Sequence, residues 1–537
     1  MRVNGSYING AAVVGDKPKL SVVNPATGEK CAEFEDGGVD ELNTAVAAAK
    51  AAFDGKWGSY TVKQRAAVML KIHALINKHA TELAELIVEE IGKNLAEALA
   101  DVAKGNETVE WACSLPQLIG GRKLEVRHLR PYSYTHVTPH GISPNTNTNT
   151  NTPCVWQVSR GIHCEEKKIP LGVVGCIVPF NFPVMVPLWT VPIALVTGNT
   201  VVLKPSEKVP SAMLRVAELF KEAGLPDGAF NIVNGTAPVC TALINHPDVR
   251  AISFVGSSKV AKIVANSCHA LHKRVLALGG AKNHLIALPD CTTMMCAKDI
   301  TASYAGCAGQ RCMAASVLVI VDTDGGAAGD KLLQAIKDTS AALDHGQAAG
   351  QVGPLIDDLA VERVDKYVKR TIEQGGECIL DGRGAAPPAG CSKGAWCKPT
   401  ILVHKSHLDD AMQDEIFAPV LSVLRVNTWE EAIAVENANP HGNAASIYTE
   451  QGAAAEWFTK RFTAAMLGVN IGIPVPREPF SFGGLYGTDS KFGDMDTTGD
   501  GAVEFFTNRI KITSKWAPIT AEIAGLPVDV ANFDGNM

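Results

Sequence analysis

The chain has 537 residues, of which 46% are hydrophobic and 20% charged, and a formal net charge of -7. That length exceeds one hydrophobic core and implies two or three domains, while the acidic balance offers no basic field for a phosphate backbone and excludes nucleic acid as a partner. The longest apolar stretches, such as 171–180, are cut by Gly or Pro before the roughly 20 residues a bilayer span needs, so no membrane partner is expected.

The first twelve residues, MRVNGSYINGAA, have neither the apolar core of a secretory signal nor the Arg-rich character of a transit peptide. This implies a cytoplasmic protein as written; a mitochondrial matrix location would follow only if a leader were missing. The 14 cysteines are scattered and form no CxxC pair, which indicates reduced thiols, with no disulfide framework and no metal site.

From Val39 to about Leu118, Ala-rich amphipathic runs predict a series of helices. The stretch 127–158 is different: its low-complexity run NTNTNTNT at 145–152 lies amid Pro, His and Ser and predicts a long unstructured insertion. Its edges, EV at 125–126 and QV at 157–158, look duplicated, so the segment also reads as an artefact of coding.

From Leu171 the pattern turns to short apolar runs, LGVVGCIVPF, NTVVLKP, FNIVNG and AISFVGS, alternating with helical segments that begin near Pro210, Ala237 and Ser258. Such alternation predicts a parallel sheet buried on both faces, with ligands beyond its carboxyl edge. A second α/β alternation runs from about His284 through ASVLVIV at 315–321 to about Asn470, and 502–514 alternates as an edge strand in need of a partner.

Four motifs carry chemistry. Cys312, in GCAGQRCMA, has small neighbours and the adjacent Arg311, which suits a reactive thiolate, whereas Cys307 reads as a packed structural thiol. Asn181, in PFNFP at a strand terminus, suits an amide donor to an oxyanion, or else a turn. Lys204 and Glu207, in KPSE, suit the hydroxyls of a ribose, unless Ser206 merely caps the next helix. Gly256 and Ser257 open a helix whose backbone amides attract phosphate, although no GxGxxG fingerprint is present and any pyrophosphate site would be unusual.

PFNFP, KPSE, AGLPDGAFNIVNG, FVGS, GQRC and EIFAPV stand in the order and spacing of the aldehyde dehydrogenase superfamily, which the chain resembles from about Val3 to Trp516. The resemblance is greatest to the methylmalonate-semialdehyde dehydrogenases, through LGGAKNH at 278–284, GQRCMA and VNIGIPVPREPFSFGG. It implies an α/β fold with two parallel-sheet domains and a small β oligomerisation arm. The NAD-binding domain would comprise 1–120 and 171–282, and the catalytic domain 283–478. The arm would comprise 121–170 and 479–516, with 517–537 a tail, and the assembly would be a homodimer or homotetramer.

By position, the resemblance implies that Cys312 attacks a small semialdehyde substrate and Asn181 holds the oxyanion. Lys204, Glu207, Gly256, Ser257, Val178, Phe180 and Glu415 would bind NAD, with Lys208 and Gly279 as further contacts. Arg311 and Lys104 would hold the substrate carboxylate, Lys104 standing where the subgroup usually has arginine. Most of the superfamily has a glutamate where this chain has Leu278 or Ala277. Without that base a thioester should survive for thiolysis by coenzyme A. The alternatives are a hydrolytic aldehyde dehydrogenase using another base, Glu415 for instance, and a catalytically silent relative.

Overall fold

The computed structural model describes residues 2–120, 122–125 and 162–515. The 127–158 insertion and the 517–537 tail thus lie outside the described residues. The chain divides into two units, one of Met1–Pro116 with Pro170–Phe506 and one of Gln117–Ile169 with Thr507–Met537.

Within the larger unit, an eight-stranded sheet runs in the order Lys491–Gly493, Arg274–Leu278, Val249–Val255, Val173–Ile177, Thr200–Lys204, Phe230–Ile232, Ser6–Ile8 and Ala11–Val13. Its five central strands are parallel. Val173–Ile177 and Thr200–Lys204 are buried at every position, which is why they read as unbroken apolar runs. Packed on this sheet is a core that includes Leu42, Val46, Val202, Ile252 and Phe254. The helices expected near Pro210, Ala237 and Ser258 form as Ser211–Glu222, Ala237–Asn245 and Ser258–Ala270.

A second sheet of seven strands runs Glu377–Leu380, Thr400–Val403, Val420–Val426, Ala315–Val321, Asn283–Ala287, Ala444–Tyr448 and Met466–Val469, all parallel except the first. Separate hydrophobic clusters cover it, one built on Leu318, Val423 and Tyr304, another on Val319, Ile447 and Phe458.

The amino-terminal helices owe their ends to capping. Thr61 forms a capping box with Gln64, and the Asn94 side chain accepts the Glu97 amide at 2.9 Å to start the helix Leu95–Cys113.

The stretch 479–516, expected wholly in the arm, is split between the units. Lys491–Gly493 pairs antiparallel with Arg274–Leu278, whereas Thr507–Lys515 lines up with Ile162–Pro170 and, beyond it, Arg122–Glu125. The edge strand expected over 502–514 is shorter for a related reason: Gly499–Phe505 is helical. Phe505 and Phe506 are fully buried there, and the Asn199 amide and the Arg274 guanidinium donate to the carbonyls of 504–506, an arrangement that suits a helix end.

Candidate active site

The loop that carries Cys312 begins where the helix Thr293–Ala305 stops. Cys307, Ala308 and Gly309 then take φ of +49°, +53° and +68°, a left-handed run that costs non-glycine residues about 1 kcal/mol or more each. At Gly309 a Cβ would come within 2.1 Å of the Ala418 carbonyl, so only glycine fits. The Glu97 carboxylate holds the turn by accepting the Cys307 amide at 2.6 Å. Further on, the Gln310 side chain accepts the Ile356 amide at 3.0 Å. The Cys312 carbonyl itself accepts from Asn283 Nδ2 at 2.9 Å and Asn443 Nδ2 at 3.0 Å. Glu97, Asn283 and Asn443 were not singled out in the sequence, because each acts on backbone groups that only the fold brings near.

Asn181 sits beside this loop, its Nδ2 donating to the Gln310 carbonyl at 2.9 Å. One amide hydrogen is thereby used and the second is left for another acceptor. The PFNFP turn is held by a buried ion pair, Lys93 with Asp101 at 3.0 Å: Asp101 accepts the Met185 amide at 2.8 Å, and Lys93 lies 3.9 Å over the Phe182 ring. Asn181 itself is buried, and its neighbour Phe182 lines a cavity.

Cys312 is part-exposed and lies at the wall of a cavity of about 600 Å³. Its thiol is pushed up to about 12, by burial first and the Glu415 carboxylate second. The sequence suggested that Arg311 would favour the thiolate; it does pull that way, but burial and Glu415 outweigh it. At neutral pH the thiol is therefore protonated.

Arg311, Lys104 and Cys307 line the same cavity, together with Trp189, Ile473 and Phe482. Arg311 packs on Gly306, where a Cβ would meet its guanidinium at 2.6 Å, and reaches Glu97 at 3.4 Å. Lys104 pairs with Glu107 at 2.6 Å, and Glu107 also holds Arg477 at 2.6 Å. Arg477, within the quoted VNIGIPVPREPFSFGG segment, was overlooked; a guanidinium in a segment expected to line the aldehyde path was the available signal.

On the other side of the loop, the carboxyl ends of three adjacent parallel strands carry most of the expected cofactor residues. The Val178 amide donates to the Lys204 carbonyl at 3.3 Å, which sets the two strand ends side by side. Lys204 is buried and bonds Glu207 at 2.9 Å; burial opposes the Glu207 charge, but Lys204, the Glu207 backbone amide and Lys208 together outweigh it and hold that carboxyl below its usual range. Ser257 stands at the N-cap of Ser258–Ala270 with no side-chain cap bond, so it does not occupy the first-turn amides. Gly279 admits the Asp489 carbonyl, which a Cβ would approach to 2.3 Å. Phe180 packs edge-on against Phe417 with ring centroids 6.0 Å apart. Lys208, by contrast, is ion-paired with Asp357, the N-cap of Asp358–Glu373.

Glu415 is half-buried at this edge, accepting the Ala281 amide at 3.1 Å, and desolvation pushes its carboxyl up to about 7. Beside it Lys282, also unassigned from sequence, donates to the Ala411 carbonyl at 2.7 Å; burial brings its ammonium down to about 7. A cavity of about 10 Å³ is lined by Cys312, Lys282 and Glu415.

A two-sheet α/β frame that offers a thiol between an apolar cavity and a parallel-strand edge defines a dehydrogenase-like class of protein. The aldehyde dehydrogenase family model matches residues 13–512. The chain is 40% identical over 515 residues to malonate-semialdehyde dehydrogenase 2 of Geobacillus kaustophilus, covering 95% of this chain and 98% of that one. Among solved structures, it is similar to a methylmalonate-semialdehyde dehydrogenase from Oceanimonas doudoroffii, with a TM-score of 0.87 and 36% identity over 96% of this chain and 99% of that one. A Sinorhizobium meliloti 1021 protein assigned as a methylmalonate-semialdehyde dehydrogenase and complexed with NAD gives a TM-score of 0.86 and 34% identity, over 96% of this chain and 98% of that one. The chain belongs to the aldehyde dehydrogenase family.

Proposed function

We propose that the chain is an NAD-dependent, coenzyme A-acylating dehydrogenase of malonate or methylmalonate semialdehyde, yielding acetyl- or propionyl-CoA with loss of carbon dioxide. The observation that carries this reading is on the aldehyde side. The carboxylates lining that cavity are held by neighbours: Glu97 through one oxygen with Arg311 and the Cys307 amide, its Oε2 being buried without a hydrogen-bond partner, Asp101 with Lys93, Glu107 with Lys104 and Arg477, and Glu478 with Thr108. Leu278 and Ala277, at the position of the superfamily's base, are buried in strand Arg274–Leu278. Water entering from that side meets no carboxylate at the position of the superfamily's base, so an acyl thioester on Cys312 waits for a thiol, whose thiolate is reactive without one.

The residues present fit NAD, since the helix at Ser257 leaves its first amides without a side-chain cap and the strand ends carry Lys204 and Glu207. Lys204 and Glu207 would hold the adenosine ribose, Gly256 and Ser257 the pyrophosphate, and Glu415 the second ribose, with Val178, Phe180 and Gly279 forming the walls. Lys208 is a weaker contact because Asp357 already holds it. Bound there, NAD supplies the hydride acceptor. In the reaction itself, the Cys312 sulfur adds to the aldehyde carbon while the Asn181 amide donates to the resulting oxyanion, and Arg311 and Lys104 orient the substrate carboxylate.

The test is product analysis with malonate semialdehyde and NAD. Without coenzyme A, NADH should stop after about one equivalent per site; with it, turnover should continue and acetyl-CoA should accumulate. Steady formation of a free acid without coenzyme A would support the hydrolytic alternative instead.

A further inference from the structure

A thiol pushed up to about 12 is almost wholly protonated at neutral pH, so a nucleophilic Cys312 needs somewhere to send its proton. The aldehyde-side carboxylates are held by the partners described above, Glu97 through one oxygen only. The inner side of the sulfur differs: the small cavity lined by Cys312, Lys282 and Glu415 has room for a single water. Arg311 and Cys312 line both cavities and form the partition between them.

We propose that Glu415, steadied by Lys282, is the proton acceptor for the Cys312 thiol through one water in this inner cavity. The inference rests on Cys312 being the nucleophile and adds to the ribose contact proposed for Glu415. In the step, the S–H bond breaks as the thiol proton passes to the water, and the water passes one of its own to a Glu415 oxygen. A thiolate and a carboxylic acid result, with no change of oxidation state. The location has a chemical consequence: a base behind the partition reaches the sulfur without delivering water to an acyl carbon on the aldehyde side, so it activates the nucleophile and leaves the thioester intact.

The surroundings suit that task. Burial brings Glu415 up to about 7, near the pH at which a general base works best. Glu415 faces the Ala281 amide, Lys282 and, from the helix Asp358–Glu373, Arg363; Lys282 in turn faces Asp414, with His284, His404 and His441 around it. His284, buried and brought down to about 4, stays neutral, so it adds no charge beside Lys282.

The experiment is alkylation of Cys312 by iodoacetamide across pH 5.5–9.5, a range chosen to span the usual carboxylate-to-thiol titrations, with no aldehyde, NAD or coenzyme A present. Mass spectrometry follows the Cys312 peptide, and Cys312→Ala supplies the blank. In the wild type the rate should rise through neutral pH as Glu415 ionises. In Glu415→Gln that rise should vanish, with alkylation at pH 7.5 slower by about tenfold or more. Lys282→Met leaves Glu415 free to turn neutral and is expected to fold; without the ammonium, the rise should move to higher pH. A carboxylate acting on the thiol through charge alone predicts the opposite sign, because removing it lowers the thiol pKa. Alkylation of Glu415→Gln as fast as wild type or faster would therefore overturn the proposal, and so would an unshifted profile in Lys282→Met. Failure here would leave the coenzyme A requirement untouched, whereas loss of that requirement would not alter the alkylation profile.

Discussion

Two charge networks flank Cys312, and they differ chiefly in their access to water. The inner one sets the buried Lys282 beside the half-buried Glu415, and desolvation brings an acid and a base together near neutrality. The outer one, Lys104–Glu107–Arg477, keeps between 42% and 66% of each side chain exposed. Similar groups thus serve different ends. Buried, they set protonation at the sulfur; at the rim they exchange partners cheaply, as a site for a charged substrate must. Arg311 stands between the two, lining both cavities with its side chain 21% exposed.

The sharpest way to break this comparison is to remove the atom both networks serve. Cys312→Ala should abolish NADH formation, to below about one part in a thousand, while NAD binding measured by calorimetry persists. Substantial residual turnover would sink the assignment of the nucleophile.

Arg311→Leu should follow in size. Loss of a part-buried charged hydrogen bond costs about 1.5–3 kcal/mol, which corresponds to roughly 10- to 150-fold in kcat/KM for a carboxylated semialdehyde. Propanal should be affected far less, and equal losses for both would remove the carboxylate role. At the rim, Arg477→Gln should matter least, less than about fivefold in KM for the carboxylated substrate, and the effect should fade in high salt. A salt-insensitive loss as large as that of Arg311→Leu would mean that the outer network is not a solvated rim at all.

Much of the frame was legible in order along the chain. Apolar runs such as LGVVGCIV and ASVLVIV became central parallel strands because burial on both faces demands continuous hydrophobicity. The helical amino-terminal segment formed because its apolar spacing and its caps at Thr61 and Asn94 agree locally. Local pattern misled at 502–505, where β-like alternation gave way to a helix whose carbonyls Arg274 and Asn199 satisfy from afar.

Residue types and motif order alone determined the family resemblance, the identity of the candidate thiol and its amide partner, and the lack of a glutamate at Leu278. Only the tertiary structure decided the sulfur's electrostatics. Whether Arg311 or Glu415 dominates at Cys312 depends on burial and on which side chains converge from positions about a hundred residues or more apart. Sequence records charge, but the dielectric around a charge exists only once the chain has folded.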